Sequence, residues 1–269
     1  MYIYMILLLV FIIMYPMMIN RKKKKQTFYP RARTLILGHR GAPTQRTENT
    51  LPSFQKAIIQ GVDGIEFDVR QSKEGRLIIF HDTDLKRLAN QNKKIKELSF
   101  TELKKIKLNK TKNQKEEAYI PSLDDIIPIL EHIKVINIEI KSESLLRGQG
   151  MLKPIIQFLD KHKIDDRCII SSFNPLFLMR LRLKRPQTII GFLYNRNTWF
   201  HGWNNMIWML RIKPDNLHIH HSLLNHWIVK WAQNKGMKVN AYTINNKEVY
   251  NNYKSKIDGV FTDNIEYLK

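Results

Sequence analysis

Only five residues, Gln71–Gly75 (QSKEG), separate two runs that both read as β-strands, Gly64–Arg70 and Arg76–His81. A parallel crossover takes a dozen or more residues, so these two strands must form an antiparallel hairpin. Every other strand candidate lies a helix-length from the next: Thr34–Gly38, Val135–Lys141, Arg167–Phe173, Thr188–Tyr194, Asp215–His220, Lys238–Ile244 and Gly259–Thr262. Amphipathic stretches between them read as helices over Leu51–Gln60, Leu123–His132, Leu152–His162, Pro175–Lys184 and His226–Lys235, with Gly61 and Gly236 closing two of them. Strands alternating with helices imply a mostly parallel sheet. Removing the returning strand Arg76–His81 leaves eight, the number that closes a (β/α)8 barrel. The expected class is therefore α/β, a TIM barrel with an extra hairpin strand, and functional groups are expected at the C-terminal ends of its strands.

The first residues follow another pattern. Residues 1–19, MYIYMILLLVFIIMYPMMI, carry no charged side chain and are followed by the basic run Arg21–Lys25. As a helix, that stretch would reach roughly 28 Å at ~1.5 Å per residue, enough for a bilayer core. A secretory signal carries its positive charge ahead of the apolar stretch, and here it lies behind. One uncleaved N-terminal transmembrane helix is expected, with the following domain cytoplasmic by the positive-inside rule and the basic run on anionic headgroups. The expected division is an anchor with basic flank over 1–26 and one catalytic domain over 27–269.

The net charge is +21, so the surface potential favours anionic partners: phosphate substrates, anionic lipid or nucleic acid. A nucleic-acid binder would show a basic stripe with stacking aromatics or a known motif, and the chain shows neither. A single cysteine, Cys168, excludes an intrachain disulfide and a cysteine metal cluster, and reads as a buried core thiol.

Chemistry collects at the strand ends. The first strand runs into His39 and Arg40, and Gly41 permits the tight exit. In DGIEFDVR, alternation places Glu66, Asp68 and Arg70 on one face, and a tight turn near Gly75 would set His81 roughly opposite Glu66. In VINIEIK, Asn137, Glu139 and Lys141 share a face. Glu66, Asp68 and Glu139 thus converge. Two like charges ~4 Å apart repel by about 4 kcal/mol at an effective dielectric near 20, so the cluster needs protons, basic partners or a cation. Oxygen-only ligands suit a hard ion, Mg²⁺ or Ca²⁺. His39 and His81 supply the acid and base that phosphate-ester cleavage requires, and Arg40 and Lys141 can neutralise phosphate oxygens.

These segments carry a resemblance. GHRGAPTQRTENTLPSFQKAIIQGVDGIEFDVRQSKEGRLIIFHD closely resembles the glycerophosphodiester phosphodiesterase family, and INIEIK, IISSFNP, VNAYTINN and DGVFTDNIEYL continue the likeness in order from Leu35 to the C-terminus. The resemblance implies a distorted TIM barrel that hydrolyses glycerophosphodiesters to glycerol 3-phosphate and an alcohol. It implies His39 and His81 as the acid–base pair, Glu66, Asp68 and Glu139 as ligands of a divalent metal, and Arg40 and Lys141 on phosphate. It further implies Glu48 as a brace for Arg40 or the metal shell, and Phe173 and Tyr242 as pocket walls. Two letters depart from the family pattern: Thr47 stands where proline is usual, and Tyr242 where tryptophan is more frequent. The family's inserted segment, here about Thr83–Ile120, is short and Lys-rich. Some members cleave soluble glycerophosphodiesters, others cleave lysophospholipids at membranes as lysophospholipases D. An inactive membrane-bound phosphodiester-binding module is the alternative outside catalysis, with the intact histidine pair against it.

Three further features bear on these readings. Thr50 is placed to cap the helix after the ENT segment. Asn197–Leu210 concentrates Trp199, Phe200, Trp203 and Trp208, either a core helix or an aromatic surface for bilayer or acyl chain. His218, His220 and His221 read as solvated or core histidines rather than a second metal site.

Overall fold

A computed structural model of the chain describes residues 24–111, 114–142, 146, 148–194 and 203–268. Its strands are β1 Leu35–His39, β2 Gly64–Gln71, β3 Leu77–Ile79, β4 Lys107–Leu108, β5 Ala118–Tyr119, β6 Val135–Ile140, β7 Cys168–Ser172, β8 Ile189–Tyr194, β9 Asn216–His220, β10 Lys238–Tyr242 and β11 Gly259–Thr262. Neighbours follow the order β1-β11-β10-β9-β8-β7-β6-β2, and β1 also pairs with β2. The eight parallel strands therefore close on themselves as a (β/α)8 barrel, which leaves no edge in the ring.

The hairpin sits where strand geometry allows it. A strand has two edges, and β6 occupies one edge of β2 from Gly64 to Val69. The other edge is shared: β1 pairs with Gly64–Glu66, and β3 pairs antiparallel with Val69–Gln71. β1 rises along that edge and ends at His39, opposite Glu66. β3 descends along the same edge, so the two strands approach head to head.

The register corrects the expected position of His81. Continued from Val69↔Ile79, a strict ladder would set His81 opposite Phe67, whose ring lies in the outer core with Phe54. The ladder instead ends at Ile79, with one further bond from the Phe80 amide to the Asp68 carbonyl. The chain then turns inward, and the Arg70 guanidinium holds the His81 carbonyl at 2.8 Å.

The core has three parts. Helices over Leu51–Ile59, Leu152–His162 and Pro175–Lys184 cover the outer face of the barrel, burying Phe54, Phe158 and Phe177 against it. Inside the barrel, Leu35, Leu37, Val135, Ile169, Ile189 and Phe261 pack with Phe28 and Tyr29 from the preceding segment. A separate small core of Ile78, Phe80, Leu85, Leu103, Leu108 and Ile120 supports the insertion after His81. That insertion builds its own β4–β5 ladder and a helix over Phe100–Lys105. Cys168 is buried, as expected of a core thiol.

Two local expectations change, at the helix expected over Leu123–His132 and at Thr50. The helix expected over Leu123–His132 splits into a 3-10 turn, Asp124–Ile126, and a short helix, Ile127–Leu130, because Pro128 has no amide to bond the Asp124 carbonyl. Thr50 takes the extended cap conformation, but its hydroxyl donates to the Thr47 carbonyl and leaves the helix amides unbonded by its side chain. The aromatic stretch forms a helix over Trp203–Ile212 that buries Met209 and Ile212, while Trp199 and Phe200 lie outside the described residues. The expected spanning segment, residues 1–19, also lies outside them. Among the described residues no helix is long and apolar enough to cross a membrane.

His218 is fully buried inside the barrel, and among the described residues neither of its ring nitrogens has a hydrogen-bond partner. Gly191 makes room for it: a Cβ there would lie 2.6 Å from the His218 Cε1. Burial pushes its pKa down to about 3, from 6.5. The unfolded chain therefore binds this proton first, and stability falls as pH drops from 6.5 toward 3, by up to about 1.4 kcal/mol per pH unit in that window. Urea unfolding at successive pH values should show this slope, and His218→Leu should flatten it.

Candidate active site

At the C-terminal end of the barrel, a cavity of about 260 Å³ is lined by His39, Arg40, Glu66, His81, Glu139 and Lys141, with Phe173 and Tyr242 on its wall. Asp68 lies just beneath, fully buried. Strand parity delivers them: Glu66 and Asp68 alternate inward on β2, and Glu139 does so on β6, level with Asp68 in the ladder.

The acidic cluster is tight. Glu66, Asp68 and Glu139 each offer a ligand atom within 4.8 Å of the others. Asp68 is well compensated: Lys141 Nζ lies 2.9 Å from its Oδ1, Arg40 Nε 3.3 Å from its Oδ2, and Asn49 donates to it at 2.7 Å. Burial would raise its pKa, yet Lys141 and Arg40 hold it far below the usual carboxylate range. Lys141 also lies 2.5 Å from Glu139 Oε1. Glu66 is different. Its Oε2 accepts from the Arg40 amide at 2.9 Å, whereas its buried Oε1 accepts no hydrogen bond among the described residues. Burial and the neighbouring Asp68 push Glu66 up to about 8. The cluster is short of one positive charge at Glu66, and its donors are all carboxylate oxygens. Both facts fit a hard divalent cation.

Each histidine has its own carboxylate. His39 Nδ1 lies 2.6 Å from Asp263 Oδ1, and Asp263 is held in turn by Asn245 at 2.7 Å. His81 Nδ1 lies 2.7 Å from Asp82, which also accepts from Arg87 at 2.7 Å. Burial alone lowers the His39 pKa, but Asp263 and Glu66 outweigh it and the net shift is upward. Burial and then Lys141 lower that of His81. The two rings are driven apart in acidity, as an acid–base pair requires.

Sequence reasoning missed Asp263, Asp82, Asn49 and Asn245. The signal for Asp263 was available from closure: β1 pairs with β11 at Gly38↔Thr262, so one step further sets His39 beside Asp263. Glu48 does brace Arg40, at 2.8 Å, and takes two further bonds from Arg87 at 2.7 Å. The insertion is thereby tied to the active-site rim. Phe173 and Tyr242 meet edge to face at 6.3 Å, and the Tyr242 hydroxyl donates to the Tyr194 carbonyl at 2.9 Å. His218 and His220 line the same cavity. Among the described residues, Glu66, Asp68 and Glu139 are the one group of metal-ligand type.

Thr47 has a physical role that proline could not fill. Its amide donates to Gln114 Oε1 at 2.7 Å and its hydroxyl to the Asn109 carbonyl at 2.7 Å, fastening the insertion to the ENT segment. Thr47→Val should remove that bond and cost about 0.5–1.5 kcal/mol, read as a lower urea midpoint.

The sequence profile of the Glycerophosphoryl diester phosphodiesterase family matches residues 39–267. A glycerophosphodiester phosphodiesterase of Caldanaerobacter subterraneus subsp. tengcongensis is 30% identical over 239 residues, 88% of this chain and 96% of that protein. The structure of a phosphodiesterase from Oleispira antarctica, in complex with the product sn-glycerol-3-phosphate, superposes with a TM-score of 0.76 at 28% identity, covering 88% of this chain and 94% of the other. A lysophospholipase D of Rattus norvegicus is 26% identical over 195 residues, 67% of this chain and 60% of that protein.

Proposed function

Because the chain belongs to the glycerophosphoryl diester phosphodiesterase family and is a phosphodiesterase, we propose that it hydrolyses glycerophosphodiesters to glycerol 3-phosphate and an alcohol in the cavity between His39 and His81. One observation carries this reading: two histidines, each braced by its own carboxylate, face one buried cluster of three carboxylates. The chemistry needs two proton transfers. One imidazole takes the proton from the attacking O–H, of water or of the substrate's glycerol, as its oxygen bonds to phosphorus; the other gives a proton to the departing oxygen as the P–O bond breaks, and where the glycerol hydroxyl attacks, water then opens the cyclic phosphate by the same two transfers.

Glu66, Asp68 and Glu139 would hold a divalent cation, Mg²⁺ or Ca²⁺. When bound, it supplies positive charge beside the phosphoryl oxygens. Arg40 and Lys141 line the cavity and face the remaining phosphate charge. Phe173 and Tyr242 give the glycerol or alcohol portion an apolar wall. Glu48 positions Arg40.

The lysophospholipid reading stands second, supported by the relative named a lysophospholipase D. Assaying glycerophosphocholine and lysophosphatidylcholine with Mg²⁺, with Ca²⁺ and after chelation tests both. Glycerophosphocholine turnover that disappears on chelation is the expected result. Turnover of lysophosphatidylcholine alone would select the second reading, and turnover of neither would reject both.

A further inference from the structure

The opposite end of the barrel carries a surface of its own. Residues leading into β1 cross this N-terminal mouth, and the Tyr29 hydroxyl lies 2.9 Å from Oδ1 of both Asn216 and Asn240. The Lys238 ammonium sits 5.3 Å from the Tyr29 ring centre and helps hold the segment in place. Beside it runs a groove of about 570 Å³ lined by Lys25, Arg31, Arg33, Lys238 and Lys254, with Asp258 as its acidic member. Arg33 is paired with Asp63 at 2.5 Å and Lys238 with Asp258 at 2.6 Å. Lys25, Arg31 and Lys254 are exposed and form no ion pair among the described residues. The Lys254 ammonium donates to a neutral partner, the Asn251 side chain, at 2.9 Å.

What lies upstream points to the occupant. The described chain begins at Lys24, beside this groove, and is preceded in sequence by Arg21–Lys23 and the uncharged residues 1–19. Cations that an anionic surface would neutralise are therefore gathered at the point where the apolar run joins the domain. We propose that the N-terminal face of the barrel rests on an anionic bilayer, tethered through residues 1–19, so that the active-site mouth opens toward water. β1 runs from this face at Leu35 to the catalytic rim at His39, four residue steps or roughly 13 Å at ~3.3 Å each. That separation exceeds the screening length of about 8–10 Å at physiological salt. This rests on the phosphodiesterase reading and narrows it. A soluble glycerophosphodiester reaches the mouth, whereas a lysophospholipid held in the same bilayer does not.

The test uses the full chain reconstituted in phosphatidylcholine vesicles with and without phosphatidylglycerol, both doped with a headgroup spin-labelled lipid. The buried native thiol is shielded, so fluorophores are placed on Ser255→Cys beside the groove and on exposed Lys86→Cys, next to the Arg87 that pairs with Glu48 and Asp82 at the active-site rim. Phosphatidylglycerol vesicles should quench the Ser255-site label several-fold more than the Lys86-site label. The triple variant K25E/R31E/K254E should erase the difference, since each basic residue at an anionic surface is worth about fivefold in association. Equal quenching, stronger quenching at the Lys86 site, or none at either overturns the proposal. Glycerophosphocholine turnover in the same samples is a separate readout. Its absence with the expected quenching rejects the phosphodiesterase reading alone, and its presence with reversed quenching rejects the orientation alone.

Discussion

His39→Ala is expected to lower kcat on glycerophosphocholine by roughly 10²–10⁴-fold, and His81→Ala to do the same, with little change in melting temperature. Both rings sit at the rim of the cavity, partly exposed, and neither fills the apolar core. Removing His39 frees Asp263, which keeps its bond from Asn245; removing His81 frees Asp82, which keeps its pair with Arg87. The loss should therefore fall on the proton transfers and not on the fold. The double variant should lose less than the product of the two single losses, because both transfers serve one displacement at phosphorus. Asp263→Asn keeps a partner for the His39 ring but removes the charge, and should shift the pH–rate profile with a smaller drop in kcat. Steady-state kinetics beside thermal melts decide the matter. A His39→Ala enzyme with turnover close to that of the parent would remove this residue from the mechanism.

Glu66→Gln and Asp68→Asn should separate metal binding from stability, although the two acids lie two residues apart on one strand face. Glu66 carries the unbonded Oε1 and is pushed up to about 8 by burial and by Asp68, so the metal-free fold gains little from its negative charge. Its glutamine variant should unfold at nearly the parent urea concentration and lose its dependence on Mg²⁺ or Ca²⁺ together with most activity. Asp68 is the counter-charge for Lys141 and Arg40, both largely buried. Its asparagine variant leaves Lys141 with Glu139 and Arg40 with Glu48, and should cost about 1.5–3 kcal/mol, the worth of buried hydrogen bonds to charged groups. Urea unfolding with and without chelator, alongside divalent-dependent activity, measures both effects. A Glu66→Gln protein that still responds to added divalent metal would place the cation elsewhere.

The site was legible in the sequence to the extent that its parts obey short-range rules. Alternation with period two placed Glu66 with Asp68, and Asn137 with Glu139, on single faces before any neighbour was known. The five-residue connection forced the hairpin, and the count of remaining strands then implied closure. His81 shows the boundary of such reasoning. The antiparallel register points it toward the outer core, and it reaches the cavity because the chain leaves the ladder after Ile79. No residue pattern announces that exit. Thr50 is a second case: the residue type suits a cap, but its hydroxyl is taken by the Thr47 carbonyl.

By itself, the sequence determined the class of fold, the strand that doubles back and the chemical groups carried to the catalytic end, because each depends on the parity of a strand or the length of one connection. Only the tertiary structure decided which carboxylate braces which histidine. His39 and Asp263 stand 224 residues apart and meet because the last strand closes beside the first. It also decided that Asp68 is paired while one oxygen of Glu66 stays unbonded, since that balance depends on where Lys141, Arg40 and Asn49 come to rest. Electrostatics in a buried cluster sums over every neighbour within a few ångströms, and most of those neighbours are brought together by closure of the barrel rather than by proximity along the chain.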